Sequence, residues 1–472
     1  MPLERDLQAE KKAFEINMDS RIYGAFAEIG AGQEVARRFF SVGGAAGTVA
    51  KTISAYDMTF SDAIYGASGR YVSRARLHSM LTHEYSLLIE RLDAKVGAAR
   101  MFFAFADTVA ARSFRGHAES HGWMGVRFQA TPRGETNEII IHVRMLDPHN
   151  LQQQEALGIV GVNLIYGAFF LTRNPEGLVG SLLDDLAPGR IEIDMIRATG
   201  PDFAHVDDRI MALQLVTQNL TKAALFRADG EIVNAADALY KKPLLVERGS
   251  FRPVTLVADD MLNCARAMFL KEESVKDSEP EVLMEITMKN LLASGELDLR
   301  DFLDRVDMLG AMGRTVLISN YGAYYRLVAY LTLYTDRLIG LPLGIPAMAE
   351  ILEEVYYGDL EGGILEALGR LFKTGVKLYV YPFVNPNGEL VTAQNFDVAP
   401  NLAHLYKHLL ENGFIEPLEG YNPSYLPIKS SEVLAKIRGG LGWEGAVSPE
   451  VAKIIKERRL FGFQSEFAGK AE

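Results

Sequence analysis

The most regular alternation of apolar and polar positions lies between residues 280 and 383. Val282 to Thr287, Thr315 to Ile318, Leu338 to Leu343 and Leu378 to Tyr381 are short apolar runs bounded by polar or glycine-containing residues, and they read as buried strands. Between them apolar residues recur at intervals of three and four. Phe302, Val306 and Leu309 mark one helical face, and Tyr324, Leu327, Val328, Leu331 and Tyr334 mark the next. Met348 to Phe372 continues as helix with a break at Gly362-Gly363. Strand–helix alternation at this spacing predicts parallel strands under right-handed crossovers.

Upstream, Met101 to Ala106 reads as a buried strand. Gly125 to Gln129 and Glu138 to Met145 form a strand pair across the turn Pro132-Arg133-Gly134. Leu151 to Phe170 is a long apolar helix, Asp207 to Gln218 another helix, and Ala223 to Phe226 a further strand. Ile191 to Ile196 alternates, with Glu192 and Asp194 on the face opposite Ile191 and Ile193. With eight or nine such strands the expected fold is α/β, with a parallel β/α core that is either barrel-like or doubly wound. Residues 1–98 read as mostly helical. Within them a helix from Ser73 to Leu92 carries Arg74, Arg76, Glu84, Glu90 and Arg91 as a solvated or subunit-contacting face. Beyond Pro386-Asn387-Gly388 the texture is helical again, and Ser448-Pro449-Glu450 opens a capped final helix. The expected domains are a helical N-terminal segment (1–98), an α/β core (99–390) and a helical C-terminal appendage (391–472).

At 472 residues the chain is too long for one ordinary core. Its formal net charge of -12 argues against a general nucleic-acid binder and against adhesion to an anionic membrane surface. The charged N-terminus lacks the apolar core of a signal peptide. The single cysteine, Cys264, excludes an intrachain disulfide and a cysteine-rich zinc site, so a cytoplasmic protein is expected. Abundant Tyr, Phe and Gly and helical segments at both ends make a homo-oligomer the expected state.

The candidate chemistry centres on one turn. Leu244-Leu245-Val246 reads as the end of a buried strand, Glu247-Arg248-Gly249-Ser250-Phe251-Arg252-Pro253-Val254-Thr255 follows, and a helix opens near Ala258. Such a junction aims backbone N–H groups at a ligand above the strand. Gly249 and Ser250 would approach a phosphate by backbone, Arg248 and Arg252 would neutralise it, and Thr255 adds a hydroxyl. Glu247 or Glu285 would position Mg²⁺ or a substrate hydroxyl. Other strand ends carry Asp107, Arg144 with Asp147, Asp194 with Arg197, Glu285 with Thr287 and Lys289, Ser319 with Asn320, and Tyr381. From these the catalytic candidates are Glu247, Glu285 and Asp194. The candidates for an anionic small-molecule ligand are Arg248, Gly249, Ser250, Arg252, Thr255 and Asn320. The same charges would serve equally as ion pairs at loop starts.

Three further segments carry a motif-like pattern with a simpler reading. Phe26-Ala27-Glu28-Ile29-Gly30-Ala31-Gly32 resembles the acidic Gly-x-Gly loop of methyltransferases, but Val35 to Phe40 reads as a helix running through, so the glycines are expected to serve close helix packing. Gly43-Gly44-Ala45-Ala46-Gly47, with Thr48, Lys51 and Thr52 nearby, lacks the P-loop order. His117-Ala118-Glu119-Ser120-His121 lacks the zincin order and is flanked by Gly116 and Gly122, so a hydrogen-bonded loop is expected and no metal site is assigned. His142 alternates with apolar neighbours and reads as a satisfied core residue.

Gly249 to Thr255 resembles the first nucleotide-binding loop of the adenylyltransferases that transfer AMP to nicotinate mononucleotide or phosphopantetheine. There a Gly-Ser-Phe-x-Pro-x-Thr turn after the first strand receives the ATP phosphates. The His-x-Gly-His element of that family is replaced here by Leu256-Val257-Ala258-Asp259-Asp260, and no histidine occurs between His205 and His404. The whole chain resembles a bacterial family that shares runs similar to Ile22-Tyr23-Gly24 through Phe39-Phe40, Arg144-Met145-Leu146-Asp147, Arg248 through Thr255, and Ile318-Ser319-Asn320-Tyr321. Genomes label that family both TonB-dependent receptor and nicotinate-nucleotide adenylyltransferase. The first label disagrees with the N-terminus and the parallel rhythm. The expected function is binding of a nucleotide or phosphorylated metabolite, with nucleotidyl transfer of the nicotinate-nucleotide adenylyltransferase type as the reaction the resemblance implies. The alternative is a non-catalytic self-assembling scaffold or a nucleotide sensor.

Overall fold

The computed structural model describes residues 8–30, 32–111, 120–276, 278–373 and 375–464. The chain divides into two compact units, residues 1–222 and 223–472.

Unit 1 is built on β1 (Ile22–Ile29), β2 (Val49–Ile53), β3 (Met101–Ala110), β4 (His121–Gln129), β5 (Thr136–Met145) and β6 (Ile191–Thr199), in the order β2-β1-β3-β4-β5-β6. β1 is parallel to β2 and β3, and the rest of the sheet is antiparallel. The link between β4 and β5 is a tight turn, too short for a crossover, so those strands must reverse. Phe26, Phe103, Phe105 and Phe128 pack with the Asn150–Phe170 helix to form the core.

The expectation that residues 1–98 are mostly helical is corrected at β1, which pairs with β3 over eight residues. A nearly continuous apolar run serves a buried strand as well as a buried helix, and periodicity does not separate them. Gly30 and Gly32 therefore lie in a strand-to-helix turn rather than in a helix contact. Gly30 has φ +108°, and a Cβ there would sit 1.9 Å from the Val109 carbonyl oxygen. The polar face expected on the Arg74–Val96 helix is also partly corrected. Arg76 and Glu84 are buried, because Arg76 pairs with Asp62 and lies over the Tyr71 ring, while Glu84 meets Lys51 Nζ at 2.5 Å and accepts from the Tyr65 hydroxyl at 2.9 Å.

Unit 2 contains β7 (Ala223–Phe226), β8 (Ile232–Val233), β9 (Leu244–Arg248), β10 (Glu281–Thr287), β11 (Thr315–Ser319), β12 (Ile339–Gly344), β13 (Val376–Tyr381), β14 (Phe383–Val384), β15 (Leu390–Val391) and β16 (Ile415–Pro417). Eight of these form one sheet in the order β16-β13-β12-β9-β10-β11-β7-β8, and β14 pairs with β15 in a separate two-stranded sheet. From β16 to β11 all neighbours are parallel. On one face Leu244, Val246, Leu283, Leu317, Leu341 and Leu343 pack with the helices Tyr324–Leu331, Ile345–Ile351 and Gly363–Leu371. On the other, Phe269 of the Leu256–Phe269 helix lies close to Gly340 and Leu245, and Phe302 of the Leu299–Ala311 helix lies 6.1 Å from the Phe226 ring. Helices on both faces of an open sheet make this unit doubly wound; the barrel alternative does not form.

The texture placed domain boundaries at 98/99 and 390/391, whereas the two units meet at 222/223. The pairing of β1 with β3 ties residues 22–29 to 101–110, and the pairing of β16 with β13 ties the C-terminal segment into the second sheet. Among the described residues no helix is long and apolar enough to cross a membrane.

Candidate functional site

In unit 2 the order of winding reverses beside β9. The chain passes from β9 outward through β10 and β11, then returns to the other side of β9 for β12 and β13. Open α/β sheets take ligands at the carboxyl ends of the strands flanking such a reversal. The hydrogen-bonded ladder is short there. β9 pairs with β10 over five residues and β12 with β13 over six, but β12 meets β9 only at Ile339 and Gly340. Gly340 permits that single close approach, since a Cβ would come within 2.9 Å of Leu245 Cδ1 and of the Phe269 ring. At the carboxyl end of β12, Gly344 has ordinary extended backbone, and a Cβ would find only Pro346 Cδ, at 3.5 Å.

The turn after β9 is held by its carbonyls. Asn290 Nδ2 donates to the Gly249 carbonyl at 3.0 Å, Arg305 Nη1 to that of Ser250 at 3.1 Å, and the Ser430 hydroxyl to those of Arg252 and Pro253 at 3.1 and 3.4 Å. Phe251 and Val254 are buried and anchor the turn by their side chains. Gly249 N–H donates to the Glu285 carbonyl at 3.0 Å, while the described residues offer the amides of Ser250, Phe251 and Arg252 no acceptor. The Leu256–Phe269 helix follows, and the Thr255 side chain makes no bond to its first amides. A helix start of this kind leaves N–H groups unsatisfied by its own carbonyls and favours negative charge.

The expected site residues are distributed unevenly around this turn. Arg248 is fully engaged: it donates to Glu285 at 2.7 and 2.9 Å, to the Tyr321 carbonyl at 2.9 Å and to the Gly322 carbonyl at 2.8 Å, and it lies 4.2 Å from the centre of the Tyr324 ring. Glu285, wholly buried, also accepts from the Ser319 hydroxyl at 2.5 Å. This network ties β9 to β10 and to the loop after β11. Arg252 pairs with Asp301, which also holds Arg305. Glu247 is 1% exposed, and its Oε2 has no hydrogen-bond partner. Burial, reinforced by the charge of Asp259 and opposed by Arg314, pushes its carboxyl well above the usual range. Thr255 is buried at the head of the helix, and Asn320 is exposed just past β11.

Asp194 belongs to unit 1, whereas the other eight belong to unit 2. A bulge in the β5–β6 pairing beside His142 brings Asp194 within 2.6 Å of His142 Nδ1, and His142 Nε2 is 3.0 Å from His121 Nδ1. Other charged strand ends in unit 1 form ion pairs: Arg144 with Glu192, Arg190 with Asp147 and Arg197 with Asp208. His117 and Glu119 lie outside the described residues. Among the described residues no three His, Cys, Asp or Glu side chains are placed to hold a metal ion. Glu285 has both oxygens committed to Arg248 and Ser319.

Sequence reasoning missed Asn290, Asp301, Arg305 and Ser430. Asp301 and Arg305, four residues apart on a helix, carry the pattern of a solvated ion pair, yet both are buried. The signal for Gly344 was legible: a strand ending in glycine, with Pro346 in the first turn of the next helix.

No family model and no curated protein matches the chain. Among solved structures, the competence/damage inducible protein CihA from Agrobacterium tumefaciens is 17% identical and matches 35% of this chain and 97% of its own, with a TM-score of 0.25. A competence or damage-inducible protein from Enterobacter asburiae is 12% identical over 34% of this chain and 98% of its own, and a CinA superfamily protein from Escherichia coli is 16% identical over 35% and 91%, both again with a TM-score of 0.25. A TM-score of that size carries no inference about fold or chemistry.

Proposed function

We propose that unit 2 binds a phosphorylated small molecule, a nucleotide in the first instance, at the carboxyl ends of β9 and β12. One observation carries the reading: at the winding reversal, the turn after β9 has its carbonyls clamped while the amides of Ser250, Phe251 and Arg252 meet no acceptor among the described residues. The amides of Ser250 and Phe251 and the start of the Leu256–Phe269 helix supply the anion-binding groups. Arg248 and Arg252 support the turn rather than neutralising the phosphate directly. Mg²⁺ would enter on the phosphates, not on a protein-built site.

Nucleotidyl transfer is the finer form of this proposal, resting on the resemblance of Gly249 to Thr255. An acceptor phosphate oxygen would attack the α-phosphorus, and pyrophosphate would leave. No histidine lies between His205 and His404, so stabilisation of the developing charge would fall to the amides and the helix end.

Calorimetric titration of the full chain with ATP, ADP, AMP and inorganic phosphate, with and without Mg²⁺, tests the binding step. The informative variant is Gly344→Val, at the carboxyl end of β12, whose backbone geometry accepts any residue and whose Cβ would meet only Pro346 Cδ. Nucleotide affinity should fall by about tenfold or more, the scale of one charge-assisted hydrogen bond, with the unfolding midpoint unchanged. Absence of binding by the wild type, or equal affinity in the variant, refutes the reading.

A further inference from the structure

We propose that a second cavity in unit 2, formed beside the Tyr324–Leu331 and Gly363–Leu371 helices, binds a small aromatic acid. Its volume is about 570 Å³, within the range of pockets that enclose small ligands. Tyr321, Tyr325, Val328 and Leu360 give it aromatic and aliphatic walls, and Arg326, Arg370 and Lys373 give it three cations. No carboxylate is among its lining residues, although the chain carries 61 acidic against 49 basic side chains. The positive lining therefore runs against the composition.

Two of the cations are set in place. Arg326 Nε donates to the Tyr325 hydroxyl at 2.8 Å and its Nη2 to Asp359 at 2.6 Å, while Arg370 Nη2 meets Glu366 at 2.6 Å. Both guanidinium groups also lie near the Tyr325 ring, 5.6 and 6.0 Å from its centre, a spacing at which a cation and an aromatic face attract. Each guanidinium keeps further N–H groups beyond those bonds, in the planar fork that suits a carboxylate. Lys373 is exposed and, among the described residues, has no partner. Walls that take a flat apolar body and a rim that takes one negative charge together define the ligand class. A bare inorganic anion would leave the walls unused, and a neutral aromatic would leave the cations unused.

This proposal does not depend on the nucleotide site. The test is titration of the full chain with 2-naphthoate, with 2-naphthalenemethanol and inorganic phosphate as the neutral and the non-aromatic probes. Saturable binding of 2-naphthoate is expected, at least tenfold tighter than either comparison probe. Arg370→Glu and Lys373→Glu should each weaken it severalfold; both residues are exposed, so their urea unfolding midpoints should stay close to that of the wild type. Gly344→Val should leave it unchanged. The proposal is overturned if 2-naphthoate does not bind, if either comparison probe binds as tightly, or if the charge reversals have no effect. It is equally overturned if Gly344→Val abolishes binding, because the acid would then occupy the site at the carboxyl ends of β9 and β12.

Discussion

Units 1 and 2 each open a parallel arrangement with the same local device, a strand with a buried glutamate one residue from its end, then a turn, then a helix. The two are finished differently. In unit 1 the turn is short, and Glu28 accepts from the Val35 and Ala36 amides at 3.0 and 2.9 Å. The helix Glu34–Ser41 thus starts on a carboxylate supplied by its own chain. In unit 2 the turn runs from Gly249 to Thr255, and Glu247 stays below it without reaching an amide. A helix start attracts negative charge in either case. Whether it becomes a ligand site depends on turn length, which decides if an internal carboxylate gets there first.

The largest expected effect separates support from binding. Arg248 stands at the same strand end as Glu247 but serves as a lock, so its removal should cost stability before it costs affinity. Arg248→Met leaves Glu285 buried with its charge unpaired, and breaking a buried pair costs about 3–5 kcal/mol. Urea unfolding should show a loss of that order. A variant of near wild-type stability that had lost nucleotide binding would place Arg248 on the ligand and dissolve the contrast drawn here.

The filled site in unit 1 should announce itself by pH. Burial pushes Glu28 up to about 7, and Asp107, its direct neighbour on β3, is raised well above the usual carboxylate range by burial and then by the Glu28 charge. A carboxyl whose folded pKa exceeds its unfolded value binds more protons when folded. Its contribution is therefore fully present below the unfolded value, near 4.5, and is lost as pH rises through about 7. The loss is on the order of 3 kcal/mol for Glu28. Glu28→Gln removes the titrating group, keeps an oxygen for only one of the two amides, and should lower stability at every pH while flattening this slope in unfolding measured from pH 5 to pH 8. An unchanged slope would mean that Glu28 is ionised in the folded protein throughout.

Much of this contrast lay beyond the sequence, for identifiable reasons. The strands and helices of residues 280–383 were legible because parallel strands buried on both faces are short apolar runs and their helices have a clear stripe. The junction at Gly249 was legible because glycine, serine and proline there interrupt an apolar run before a helical one. β1 was not, since Ile22 to Ile29 has no periodicity to tell strand from helix. The two-unit division was hidden because it depends on pairings between β1 and β3 and between β13 and β16, distant in the chain. The clamp was hidden for a related reason. Asp301 and Arg305 have the spacing of a solvent-facing pair, and nothing local ties Arg305 to the Ser250 carbonyl fifty-five residues away.

The smallest expected stability change gives the sharpest test, because it would convert one turn into the other. Thr255 has extended backbone, φ -96° and ψ 167°, and caps nothing with its side chain. Thr255→Asp would place a carboxylate where it can accept from the Val257 or Ala258 amide, as Glu28 does for Val35 and Ala36. A good N-cap stabilises by about 0.5–1 kcal/mol, and the nearby charge of Asp259 holds the gain to the low end. The same carboxylate would occupy the amides proposed for the phosphate and repel it, so nucleotide affinity should drop at least tenfold while the melting temperature rises slightly. Higher stability with unchanged affinity would show that the ligand does not use this helix end. Lower stability would show that the amides are already satisfied and that the two turns do not differ as argued.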